Sequence, residues 1–252
     1  MNQKQKAKEF AKLHVKGSPI LLYNAWDAGS AQAIVEAGAP AIATSSWSVA
    51  AAQGYEDGEG IPVEFVEQIV GRITETVDVP VTVDFEGGYS ENEDKLAENI
   101  SRLLDLGVIG INFEDRVVKG EGLYKVDRQA KRIAKIRETA KKAGVDLFIN
   151  ARTDVFFQDG ESKKSVAAAL ERAKAYAAAG ASGLFVPGLA DATLIGQVCD
   201  STELPVNVMM ADGLPSIDRL SKIGVSRISY GPIPYIDAME ALKKKASKLS
   251  QK

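Results

Sequence analysis

Short runs of aliphatic and β-branched residues recur along the chain. Polar clusters and stretches of helical spacing separate them. Val81-Thr82-Val83 is one such run, stopping at Asp84 and Glu86 before Gly87-Gly88. Val108 to Phe113 is another, stopping at Glu114 and Asp115. The pattern predicts strands over 19–23, 41–44, 81–84, 108–114, 146–151, 183–186, 205–208 and 226–229. It predicts helices over 4–15, 28–37, 62–77, 93–106, 127–143 and 162–179, and a last helix from about Tyr235. Residues 45–60 read as a long loop, and Asp127 is placed to cap the helix after it. The triplets Ala37-Gly-Ala39, Leu106-Gly-Val108, Ala179-Gly-Ala181 and Ile223-Gly-Val225 each put a glycine where a helix ends before a strand.

Strand and helix alternate roughly eight times with no break in composition, which predicts a single (β/α)₈ TIM barrel over residues 1–252. A doubly wound sheet is the alternative. It usually carries a glycine fingerprint after its first strand, and Asn24-Ala-Trp-Asp-Ala-Gly29 lacks that spacing.

Composition narrows the chemistry. The chain has 252 residues, 45% hydrophobic, and a formal net charge of -3, which gives no reason to expect a nucleic-acid partner. The lysine clusters at 131–142 and 243–245 read as solvated helix faces. No apolar run is long enough to cross a bilayer, and the first residues lack the apolar core of a signal peptide, so a cytoplasmic location is expected. Cys199 is the sole cysteine and His14 the sole histidine. That excludes an internal disulfide and a cysteine cluster for zinc, and leaves a Ser-His or Cys-His nucleophile no base but His14.

In a barrel the chemistry sits where strands end. Those ends hold Tyr23, Asn24, Ser45, Ser46, Asp84, Glu86, Glu114, Arg152 and, less directly, Asn207. Asp84 and Glu86 are two apart, so an extended chain points them the same way. With Glu114, and with Asp57 from the 45–60 loop, they form a four-acid, all-oxygen set that suits Mg²⁺, or Mn²⁺, better than zinc. Arg152 suits a carboxylate of the ligand, or else a structural pair with Asp154. Trp47 reads as ligand contact or loop packing, Cys199 as core.

Tyr23-Asn-Ala-Trp-Asp-Ala-Gly-Ser30, Thr44-Ser-Ser46, Gly54-Tyr-Glu-Asp57, Pro80 to Tyr89, Asn112-Phe-Glu-Asp115, Asn150-Ala-Arg-Thr-Asp154 and Pro205-Val-Asn-Val208 together resemble the isocitrate lyase/phosphoenolpyruvate mutase superfamily, in its phosphoenolpyruvate phosphomutase-like branch. The resemblance implies a Mg²⁺-dependent barrel enzyme that makes or breaks a C–C or P–C bond in a small 2-oxo acid. It implies Asp84 as direct metal ligand and Glu86 in place of a second acid. Asp57 and Glu114 would hold the metal's waters, Ser45 and Ser46 the substrate carboxylate, and Arg152 the substrate. It also implies a last helix, within 233–252, swapped between subunits of a tetramer or dimer.

The departures matter too. The loop Arg116-Val-Val-Lys-Gly-Glu-Gly122 lacks the Cys and His of isocitrate-type lyases, and Val186-Pro-Gly188 lacks their glutamate, which disfavours isocitrate-type cleavage. It also lacks the Pro-Lys-x-Asn of the mutases, with Lys119 one place off. The leading expectation is a lyase or decarboxylase of an oxaloacetate-like acid working through a metal-stabilised enolate. The alternatives are P–C chemistry on phosphonopyruvate or phosphoenolpyruvate using Lys119, and a non-catalytic 2-oxo acid binder.

Overall fold

Among the described residues, eight short parallel strands run in the order expected of a barrel. They are β1 (Ile20–Leu22), β2 (Ile42–Ala43), β3 (Val81–Asp84), β4 (Gly110–Glu114), β5 (Phe148–Arg152), β6 (Gly183–Phe185), β7 (Val206–Met209) and β8 (Arg227–Ser229). The computed structural model describes residues 1–249. Every neighbouring pair from β2 through β8 to β1 is parallel. The seam between β1 and β2 is closed just beyond the strands, where Ala25 bridges Thr44. Asn24 reinforces it. Its Nδ2 donates to Thr44 O at 2.7 Å, and its Oδ1 accepts from the backbone N–H groups of Tyr230 and Gly231 beyond β8.

The helices are α1 (Gln3–Lys12), α2 (Ala28–Glu36), α3 (Ser46–Ala52), α4 (Val63–Thr76), α5 (Glu93–Asp105), α6 (Val126–Lys142), α7 (Val155–Asp159), α8 (Lys163–Ala178), α9 (Ala192–Ser201), α10 (Ile217–Lys222) and α11 (Ile233–Ser247). Three of these, α3, α7 and α10, are too short to show a helical period in the sequence. Residues 45–60 therefore open as a helix rather than a loop: Ser45 caps α3, its hydroxyl accepting from Ser48 N. Asp127 is not the cap of α6. Lys125 holds that place without a side-chain bond, and Asp127 sits in the first turn, where its charge suits the positive helix end.

Alternate residues of each strand face inward. Val83, Ile111, Ile149, Leu184, Val206 and Ile228 point outward and are buried under helices. The inward set is unusually polar, with Thr82, Asn112, Asn150, Asn207 and Arg227 all buried. At the N-terminal end α1 closes the barrel. Phe10 and the ring of His14 pack on Phe148, with centroids 5.4 Å and 4.0 Å away. A Cβ on Gly110 would stand 2.8 Å from Thr82 Oγ1 and 3.3 Å from the Phe10 ring, so only glycine fits there. Burial holds His14 near a pKa of about 3, hence neutral, at the end opposite the strand termini that carry the acids. Cys199 is buried on α9, as expected.

Candidate active site

The C-terminal strand ends open into a cavity of about 450 Å³. Asp84, at the end of β3, is central to its floor. Oδ2 of Asp84 accepts from the Ser46 hydroxyl at 2.8 Å and from the Ser46 backbone N–H at 3.2 Å. Oδ1 accepts from Asn112 Nδ2 at 3.3 Å. The N-terminus of α3 is thus turned toward a carboxylate, which suits the helix dipole. Asp57, Ser45, Ser46, Trp47 and Arg152 also line the cavity, where the sequence placed them. Trp47 has one edge on Tyr235 of α11 and lies at the rim.

Five other expected residues lie elsewhere. Glu86 does not share the direction of Asp84. The chain turns into the left-handed region at Glu86 (φ 47), which breaks the two-residue alternation. Its carboxylate is buried behind the cavity and accepts from Glu59 N at 2.9 Å and from Tyr89 OH at 3.2 Å. Glu114 is buried against Arg152, Oε2 to Nη1 2.9 Å. Tyr23 points out of the barrel, half-exposed, because Asn24 takes the inward position. Asn207 lies one layer below the floor and pairs with Ser229 Oγ. Lys119 faces a separate small hollow beside Glu59, Tyr89 and Arg132.

Arg152 makes the structural pair with Asp154 that was one of its two expected contacts, and a second pair, with Glu114, that the sequence did not suggest. Nε and Nη2 fork Asp154 at 2.6 and 2.9 Å, and Nη1 meets Glu114. Two of its five N–H groups remain for a ligand. Burial opposes its charge, but Glu114 and Asp154 outweigh burial and hold the guanidinium above its ordinary range.

The cavity also has residues with no assigned role in the sequence reading. Asn112 and Ser229 lie on the floor and Arg116 on the loop after β4, while Phe157, Phe185, Met209 and Pro232 form an apolar wall. A signal was present: Asn112 lies two residues before Glu114, and Ser229 two after Arg227, on inward faces of strands.

The electrostatics bear on a cation. Among the described residues, no three carboxylate, imidazole or thiol groups converge into a ready-made cage. The expected four-acid set is therefore split, with Asp84 and Asp57 at the cavity and Glu86 and Glu114 behind it. Burial and the neighbouring Asp84 raise Asp57. Burial, Asp57 and Asp84 push Glu86 up to about 8. Burial also raises Glu114, and Arg152 opposes that push. Mutually repelling oxygens around one open carboxylate suit a hard cation such as Mg²⁺, which binds through one or two carboxylates and keeps waters for a ligand to replace.

Glu86 has a consequence for stability. Its folded value lies above the unfolded 4.5, so folding favours the protonated form. Its contribution is full below about pH 4.5 and is lost as pH rises toward 8. Cation-free protein should therefore lose up to roughly 4 kcal/mol over that window. Glu86→Gln should flatten the loss in thermal melts from pH 5 to 8. An unchanged slope in the variant would reject Glu86 as its source.

The family model described as "Phosphoenolpyruvate phosphomutase" matches residues 10–250. A solved structure from Burkholderia cenocepacia J2315, described as a "putative phosphonomutase", is 48% identical, with a TM-score of 0.94 over 96% of this chain and 99% of that one. The 2-methylisocitrate lyase of Escherichia coli (strain K12) is 27% identical over 79% of this chain and 68% of its own. The oxaloacetate decarboxylase of Pseudomonas savastanoi pv. phaseolicola is 26% identical over 71% of this chain and 61% of its own.

Proposed function

Because the chain belongs to the phosphoenolpyruvate phosphomutase family, whose enzymes are lyases and mutases, we propose that it decarboxylates an oxaloacetate-like 2-oxo acid with a divalent cation, Mg²⁺ or Mn²⁺. The observation that carries this reading is the choice of groups at the cavity. Among the described residues its lining has carboxylates and guanidinium groups but no Cys, His or Lys. Breaking the C–C bond of a 2-oxo acid by loss of CO₂ needs no base. The bond's electrons pass toward the 2-oxo group, CO₂ leaves, and the carbon takes up a proton.

Asp84 would hold the cation, with Asp57 on its water shell. When bound, the cation supplies a Lewis acid that stabilises negative charge on the 2-oxo oxygen. Arg152, with two free N–H groups, orients a ligand carboxylate, and Arg116 adds a second positive charge at the cavity. Asp57, whose carboxyl lines the cavity, is placed to return the proton to carbon. The apolar wall of Phe157, Phe185 and Met209 excludes water from that carbon. Ser46 fixes Asp84, since both its N–H and its hydroxyl are committed to that carboxylate.

The test is ¹H and ³¹P NMR with Mg²⁺ against oxaloacetate, phosphonopyruvate, phosphoenolpyruvate and methylisocitrate, with an EDTA control. EDTA-sensitive pyruvate from oxaloacetate above the metal-only background is the expected result. A ³¹P change instead would favour P–C chemistry, which the similarity to the Burkholderia structure supports. Silence with saturable oxalate binding would leave a 2-oxo acid binder.

The same reading has α11 packing on a neighbouring subunit. Only Pro234 of α11 is buried, while Ile236, Met239 and Leu242 are exposed. On the barrel wall the outward side of β1 is also uncovered, with Leu21 40% exposed. In solution the chain should sediment as a dimer or tetramer, and Ile236→Asp should shift it toward monomer. A monomeric wild-type protein would reject the exchange.

A further inference from the structure

Arg227, on the inward face of β8, is 1% exposed and has no carboxylate within ion-pair distance among the described residues. Its Nη2 donates to Asn112 Oδ1 at 3.2 Å and its Nε to Ser229 Oγ at 3.2 Å. Its Nη1 has no partner. Taking a guanidinium out of water without a counter-ion is costly, so a residue of this kind calls for a compensating role. Burial lowers it to about 9, with Asp84 opposing, so it keeps its charge at neutral pH.

Both of its partners belong to the cavity floor. Asn112 Oδ1 receives two donors, Arg227 Nη2 and Asn150 Nδ2 at 2.9 Å. Turning the amide over would set its NH₂ against those two donors, so its Nδ2 is fixed toward Asp84 Oδ1. Ser229 Oγ likewise accepts from Arg227 Nε and from Asn207 Nδ2. Arg227 therefore lies directly beneath the floor and orients it, while never reaching the cavity itself.

We propose that Arg227 is the buried counter-charge of this cavity, a positioning residue that fixes Asn112 and Ser229 from below and favours a small dianionic ligand above them. The inference rests on the reading that the cavity takes a cation and a 2-oxo dicarboxylate. Its charge has opposite effects on the two: it attracts the dianion and repels the cation.

That opposition gives the test. Mn²⁺ affinity is measured by electron paramagnetic resonance, and oxalate affinity by calorimetry with Mn²⁺ present. Arg227→Met should weaken oxalate by roughly ten- to a hundredfold while Mn²⁺ binds as well as before or better. Arg227→Lys, which keeps the charge, should recover part of the oxalate affinity. If Arg227→Met does not fold, Arg227→Gln carries the same comparison. Oxalate affinity within twofold of wild type in the variant would overturn the inference and leave the proposed function standing. A parallel loss of both affinities would mark Arg227 as structural only. Absence of oxalate and Mn²⁺ binding in the wild-type protein would overturn the reading of the cavity and the inference with it.

Discussion

Asp84→Ala is expected to abolish cation-dependent turnover while the barrel stays folded. Asp84 is the carboxylate at the centre of the cavity floor, and both its oxygens already carry donors that aim it, Ser46 on one side and Asn112 on the other. A bound cation supplies several kcal/mol of charge stabilisation, and each ~1.4 kcal/mol is a factor of about ten in rate, so a loss of at least a thousandfold is expected. The backbone of Asp84 remains paired with Asn112 in the sheet, and its side chain stands at the cavity rather than in the apolar core. Melting temperature and far-UV circular dichroism should change little. Asp84→Asn separates charge from shape, because it keeps the size and most of the hydrogen bonds, yet it should be nearly as inactive. Turnover at wild-type rates in both variants, with EDTA still inhibiting, would remove Asp84 from the reaction.

The barrel was legible because its signal is repeated. Each strand reads as a mostly apolar run, four of the helix ends carry a glycine before the next strand, and eight repeats average out the error of any one. Ser45, Ser46, Trp47, Asp84 and Arg152 were legible for a related reason: they stand at or just past strand ends, and the topology brings those ends together, while Asp57 reaches the same cavity from the segment that follows α3. Glu86 was misplaced because alternation holds only while the chain stays extended. A left-handed residue two places past a carboxylate looks no different in sequence from one more strand position. The polar floor was missed for another reason. Asn112, Asn150 and Arg227 lie inside runs that read as apolar overall, and only their inward register reveals that they stack beneath the acids.

Asp115 shows how far an adjacent residue can differ in role from its neighbour, and it carries the largest expected effect on stability. In the sequence it stands beside Glu114 at the end of an apolar run and shares the appearance of a ligand. In the fold it is fully buried and faces α8. Oδ2 accepts from Arg172 Nη1 at 3.1 Å and Tyr176 OH at 2.8 Å, and Oδ1 accepts from Asp154 N at 3.1 Å. Burial raises its carboxyl, and Arg172 opposes that push. Asp115→Ala would leave the buried Tyr176 hydroxyl and the Asp154 N–H without their acceptor, and would take the counter-charge from Arg172, which keeps only Tyr124 O and the Tyr176 hydroxyl oxygen as acceptors. Removing one partner of a buried pair costs about 3–5 kcal/mol, which corresponds to a fall in melting temperature of roughly 6–20 °C for a chain of this size. Because Asp154 also forks Arg152, ligand affinity should weaken with the fold. The double variant Asp115→Ala/Arg172→Met removes both charges together and should recover part of the loss, since it also removes the guanidinium left without its counter-charge. Thermal melts of the three variants decide it. A double variant whose loss equals the sum of the two singles would mean that Asp115 and Arg172 act independently, and that the pair does not tie β4 to α8.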